Sequence, residues 1–132
     1  MAIFDKILES KFVDQYGADL APSFGFVNSS ASAEGELAAT PEQVNAAVHA
    51  VIAANGHQLA GESDDKRAIA LITKKTWLSW ELATGIDITP STQGSHVDIF
   101  LANMPGRPTA LLDGKKNKKV AQKLIEQIRA AL

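Results

Sequence analysis

Apolar residues recur at helical spacing in the early and late parts of the sequence and at alternate positions between them. Ile3, Phe4, Ile7, Leu8 and Phe12 share one face of a short amphipathic helix over residues 3–16, for which Gly17 is a natural stop. Residues 17–33 are rich in Ala, Ser, Gly and Pro and read as a linker, with Phe24, Phe26 and Val27 as an apolar patch that needs a docking place. Residues 1–33 are thus expected to form an N-terminal helical arm, and residues 34–132 a single α+β domain.

That domain opens with a short strand over Glu34–Ala39. Thr40-Pro41-Glu42-Gln43 is a helix start: Thr40 caps, Pro41 fits the first helical position and Gln43 completes a capping box. Val44, Ala47, Val48, Val51 and Ile52 form the buried stripe, and Asn55-Gly56 ends the helix. Strands follow at His57–Glu62, Arg67–Lys75, Thr76–Thr89 and His96–Ala102. Ser63–Lys66 and Pro90–Gly94 read as the turns between them, and Met104–Pro108 as a loop that breaks the sheet edge. Leu78, Trp80, Leu82, Ile86 and Ile88 point to one side of their strand; Ser79, Glu81 and Asp87 point to the other. Val120, Leu124, Ile128 and Leu132, flanked by Ala121 and Ile125, predict a closing helix from about Asn117. The order strand, helix, strands, helix predicts an α+β fold, an antiparallel sheet of four to five strands covered on one face by two helices.

Composition narrows the chemistry. With no cysteine, disulfides, thiolate catalysis and Cys-based zinc sites are excluded. The N-terminus has charges where a signal peptide needs an unbroken apolar core, and no apolar run approaches the ~20 residues of a membrane span, so a cytoplasmic protein is expected. The net charge of −2 is unevenly spread: residues 1–65 carry ten acidic and two basic side chains, residues 113–132 two acidic and six basic. Overall acidity argues against a dedicated nucleic-acid binder.

The last third resembles a family of small uncharacterised bacterial domains, through Leu78-Ser79-Trp80, Arg107-Pro108-Thr109, Leu112-Asp113-Gly114-Lys115 and Asn117. The resemblance covers about residues 34–132. It departs at Arg107, where the pattern has Leu, and at the extra Lys116 before Asn117. It implies a shared fold and no assigned activity. The element order is also similar to that of helix-grip domains, the curved sheet of START-like and pollen-allergen-like ligand binders.

Three groups of residues carry candidate chemistry. Lys115, Lys116, Lys118 and Lys119, around Asn117, either meet phosphates of a lipid or nucleic acid or form a solvated turn. Trp77 and Phe100 lie on the less apolar side of their strands. Either they meet a ligand or partner, or the N-terminal arm covers them, the alternative being an arm that clasps a second copy in a homodimer. His96 and Asp98 share one strand face and would serve a metal or acid–base site only with a partner from another segment. No third ligand stands at a recognisable spacing, so the pair reads as a surface pair and no metal is expected. Glu62, Asp64 and Asp65 read as a solvated turn. There is no P-loop, dinucleotide-binding glycine signature, HExxH or nucleophile elbow, so no cofactor is expected. A non-enzymatic binding or interaction module is the leading expectation, an anion-directed module the second, and an enzyme using His96 and Asp98 the third.

Overall fold

A computed structural model describes residues 31–74, 81–103 and 113–132 of the chain. The expected N-terminal helix, most of the linker, Trp77, Trp80 and the Met104–Pro108 loop lie outside the described residues.

The Thr40-Pro41 signal acts as its chemistry dictates. In helix α1 (Pro41–Asn55), Thr40 Oγ1 accepts from the Gln43 N–H at 3.2 Å, and Gln43 Oε1 accepts from the Thr40 N–H at 2.9 Å. Gly56 closes the helix with φ 71°, and its N–H and that of His57 satisfy carbonyls of the last turn. Strand β1 (Ala31–Leu37) precedes α1 and is placed three residues earlier than expected.

The other strands are β2 (Gln58–Glu62), β3 (Ala68–Ile72), β4 (Leu82–Ser91) and β5 (Gly94–Asn103), and helix α2 (Asp113–Ala130) follows. All pair antiparallel in one five-stranded sheet of order β1-β5-β4-β3-β2. The two helices lie on one face of it, and Leu37, Val44, Val48, Ile69, Leu71, Ile86, Ile99, Leu124 and Ile128 are among the side chains buried between. Helix α2 runs along β1 and, beside it, β5. A Cβ on Gly35 would lie 3.3 Å from Ile125 Cγ2, so the helix backs closely onto that strand.

Two expectations need correction. Helix α2 begins at Asp113, a turn before Asn117. Lysine is a good helix former, and nothing between Asp113 and Asn117 forces a later start. Pro90 lies within β4 instead of opening a turn, and the β4–β5 connection is the two residues Thr92 and Gln93. Pro90 is tolerated because its nitrogen faces the β3 side. The Ile88 N–H, two residues earlier, reaches Arg67 O at 2.7 Å there, and β3 pairs no further along β4 than Asp87.

The sheet's outer face is solvated in one half only. Ala68, Ala70 and Ala83 point away from the helices and are buried, Ala70 and Ala83 completely. No described element lies over them. The β1–β5 half of the same face is open, with Glu34, Glu36 and Asp98 exposed.

Candidate functional site

The inner wall of the sheet is aliphatic apart from a few buried polar side chains. Ser95 lies at one end, where its hydroxyl donates to Ala39 O at 2.7 Å and secures the β1–α1 turn. Thr73 and Thr84 lie at the other end. The Leu82 N–H donates to Thr73 Oγ1 at 2.9 Å, and the Thr84 hydroxyl donates to Leu82 O at 3.2 Å. The Thr73 hydroxyl therefore keeps its own proton, for which no acceptor stands among the described residues. At 5% exposure, water does not freely supply one.

Asn117, one of the sequence-stated candidates, is buried at 3% exposure on α2. Ile125 and Arg129 of the same helix stand over Gly35 of β1. The inner wall thus holds two hydroxyls, Thr73 and Thr84, at one end of an aliphatic surface, and Asn117 is a buried amide on the helix that covers it.

Lys115, Lys116, Lys118 and Lys119 are all exposed on the first turns of α2. None is ion-paired among the described residues. Asn117 turns away from them, so the cluster and the amide belong to different surfaces. Phe100 is half-buried on the outer face of β5, opposite Gly85 of β4 and Ser32 of β1. Trp77 lies outside the described residues.

His96 and Asp98 are not an isolated pair. The register sets Glu36 opposite His96 and Glu34 opposite Asp98. His96 Nδ1 lies 2.6 Å from Glu36 Oε1; Nε2 lies 3.3 Å from Asp98 Oδ1 and 3.4 Å from Glu34 Oε2. Ser91 Oγ donates to the other Glu36 oxygen at 2.8 Å. The hydrogen bond to Glu36 holds the imidazole pKa above its ordinary value, aided by Asp98 and opposed by burial. The Ser91 hydroxyl and then His96 hold the Glu36 carboxyl below its own. Spacing along the chain could not show this group, because Glu34 and Glu36 lie sixty residues upstream. The signal was the matched i, i+2 pattern in both strands, Glu34-x-Glu36 and His96-x-Asp98, which puts all four side chains on one face once the strands pair.

A second polar group holds α1 to the sheet. Glu62 ends β2 instead of joining a solvated turn: its Oε2 lies 2.5 Å from His49 Nε2 and accepts from Asn45 Nδ2 at 3.0 Å. Burial pushes the Glu62 carboxyl up, and the hydrogen bonds from Asn45 and His49 bring it below its ordinary value. Asn45 Nδ2 also reaches Lys66 O at 2.8 Å, across the β2–β3 connection.

No protein-family model and no curated protein matches the chain. Solved structures do match in fold. Protein MLL2253 from Mesorhizobium loti superposes with a TM-score of 0.58 at 10% identity, over 77% of this chain and 95% of that one. Protein CV1439 from Chromobacterium violaceum gives 0.54 at 14% identity, over 77% and 96%. Ara h 8.0201 gives 0.55 at 9% identity, over 76% and 94%. At these identities the likeness is one of fold, and it agrees with the helix-grip element order. No helix among the described residues is long and apolar enough to cross a membrane.

Proposed function

We propose that this chain is a non-enzymatic binding domain that holds a small, largely apolar ligand between the inner face of its sheet and α2. The observation that carries this reading is the buried Thr73 hydroxyl, whose proton has no acceptor among the described residues, on a mostly aliphatic wall. Ligand sites are mostly apolar surfaces with a few placed polar groups that orient the guest. Thr73 and Thr84 supply that pattern at one end. A guest with a carbonyl, carboxyl or ether oxygen at one end of an apolar body would take the Thr73 proton and lay its body along the wall.

The test is native mass spectrometry of gently purified protein, together with thermal-shift screening against fatty acids, sterols, flavonoid-like aromatics and their deoxygenated analogues. The expected result is a retained or added small molecule, a dose-dependent rise in Tm, and a preference for the oxygen-bearing member of each pair. Thr73→Val should erase that preference. A chain that retains nothing and gives no dose-dependent shift overturns the reading.

The lysines at the start of α2, exposed and without an ion-pair partner among the described residues, favour a second reading, in which phosphates of a lipid or nucleic acid meet Lys115, Lys116, Lys118 and Lys119. Helix-start amides would add donors, while the lysines themselves oppose the macrodipole by ~0.3–1 kcal/mol each when exposed. An evolved sequence that accepts that cost on four neighbouring positions is consistent with an anion that offsets it.

A further inference from the structure

We propose that Glu34, His96 and Asp98 bind one divalent transition-metal ion of the Zn2+ class on the open half of the sheet's outer face. Glu36 acts there as the carboxylate that orients the imidazole. This site lies on the opposite side of the sheet from the ligand wall and does not depend on it.

The distances fit an ion. Nε2 of His96 is 3.4 Å from Glu34 Oε2 and 3.3 Å from Asp98 Oδ1, and the three donor atoms all lie within 4.8 Å of one another. Ligands bound at about 2.0–2.2 Å around a tetrahedral ion stand about 3.3–3.6 Å apart. Two of the three separations already meet that value, and small side-chain rotations bring in the third.

The imidazole is held the right way round. Glu36 engages Nδ1 at 2.6 Å and is itself fixed by Ser91, so the geometry assigns the proton to Nδ1 and turns the Nε2 lone pair toward Glu34 and Asp98. A carboxylate behind a ligating histidine is the usual outer-shell partner, setting tautomer and ring orientation. All three donors stand on paired strands, a firmer base than a loop.

Charge asks for a cation. Glu34 and Asp98 face each other directly across β1 and β5, an arrangement that destabilises a sheet unless something positive lies between them. Among the described residues no Lys or Arg pairs with Glu34, Glu36 or Asp98, and a single imidazolium cannot balance three carboxylates. One imidazole with two carboxylates suits Zn2+, Co2+, Ni2+ or Mn2+ better than Mg2+ or Ca2+, which take oxygen ligands throughout. Three protein ligands leave a position facing solvent, for water or for a donor from a partner molecule.

The experiment is calorimetric titration of the full, untagged, metal-stripped chain with Zn2+, and separately with Mg2+. Imidazole 15N shifts are read alongside. The expected result is one saturable equivalent of Zn2+, no comparable Mg2+ binding, and a large shift confined to Nε2 of His96. His96→Ala should lower affinity at least tenfold, Glu34→Gln and Asp98→Asn likewise, and Glu36→Gln about tenfold through the orienting role. These side chains are on an open face, and unchanged backbone amide spectra confirm folded variants. If a variant fails to fold, the 15N shift in the wild-type chain decides alone. No saturable Zn2+ binding means an ion pair only and overturns the proposal. Binding that His96→Ala leaves unchanged, or a shift at His49 or His57 instead, overturns it as well.

Discussion

The backbone N–H of Lys74 donates to Nδ1 of His57 at 2.9 Å, fastening the residue after the α1 cap to the chain just beyond β3. An accepting Nδ1 must carry a lone pair, so the protons of this ring belong on Nε2 alone. Burial also lowers the pKa of His57 from its ordinary 6.5. The unfolded chain thus takes up a proton at a higher pH than the folded one. Stability from this residue is complete above about pH 6.5, and is lost as pH falls through the lower folded-state value. Chemical denaturation between pH 7.5 and 5 should give a shallower decline for His57→Gln than for the wild type. Parallel curves would remove His57 from the acid response.

Thr40, Pro41 and Gln43 were readable because every contact they make is within one turn of chain. So were the helix stripes and the sequence of elements along the chain, since each rests on local periodicity. What escaped was set by neighbours distant in sequence. Pro90 reads as a breaker until the end of β3 is known to leave its nitrogen without a partner to miss. Asn117 reads as surface, lying among lysines, until the helix is seen to turn it inward. His96 and Asp98 read as a pair until the β1–β5 register brings Glu34 and Glu36 to them. The threonines on the inner wall carry no sequence signal, since Thr is as common on exposed strands as on buried ones.

The lysine reading makes its own prediction. Binding to vesicles containing anionic lipid, or to single-stranded nucleic acid, should fall steeply between about 50 and 200 mM salt. Each lysine in contact with phosphate adds about 0.7–0.9 to the slope of log affinity against log salt for nucleic acid. Exchanging Lys115, Lys116, Lys118 and Lys119 for Glu should abolish binding to both. Cosedimentation and fluorescence anisotropy measure this, and they also separate lipid from nucleic acid as the phosphate source. Affinity that neither salt nor the exchange alters would falsify the phosphate reading.

The homodimer reading of the N-terminal arm can be tested by truncation. Strand β1 starts at Ala31, so a chain beginning at Ala33 would lose two residues that pair with Leu101 and Phe100. A chain beginning at Ser29 keeps the strand whole and removes the Ile3, Phe4, Ile7, Leu8 and Phe12 stripe along with Phe24 and Phe26. Light scattering should give twice the chain mass for the full-length protein and the single-chain mass for the shortened one. Equal single-chain masses for both rule out a clasp.

Gly94 and Gly56 both have positive φ, at 139° and 71°, yet a methyl group at each should have very different consequences. At Gly56 the conformation is left-handed helical, which costs an L-residue about 1–2 kcal/mol. Among the described residues, a Cβ there would touch only the flexible Lys74 side chain, at 3.4 Å. At Gly94 the φ is outside any region comfortable for a side chain. A Cβ would lie 2.5 Å from Leu37 O, 2.6 Å from Ala39 N and 2.8 Å from Ala39 O, all backbone atoms of the β1–α1 turn. Relief would require that turn to move away from β5. The move would break the Ser95 hydrogen bond to Ala39 O and open the end of the core that Leu37 seals. Gly56→Ala should therefore cost about 1 kcal/mol, a loss of about 4 °C in Tm for a domain of ~100 residues. Gly94→Ala should cost more than ~4 kcal/mol, adding backbone strain, a lost buried hydrogen bond and a disturbed core. Urea denaturation of the two variants side by side measures the ranking. If Gly94→Ala proves as stable as Gly56→Ala, the close approach of the β1–α1 turn to the β4–β5 hairpin is wrong, and with it the anchoring of α1 to the sheet at that end.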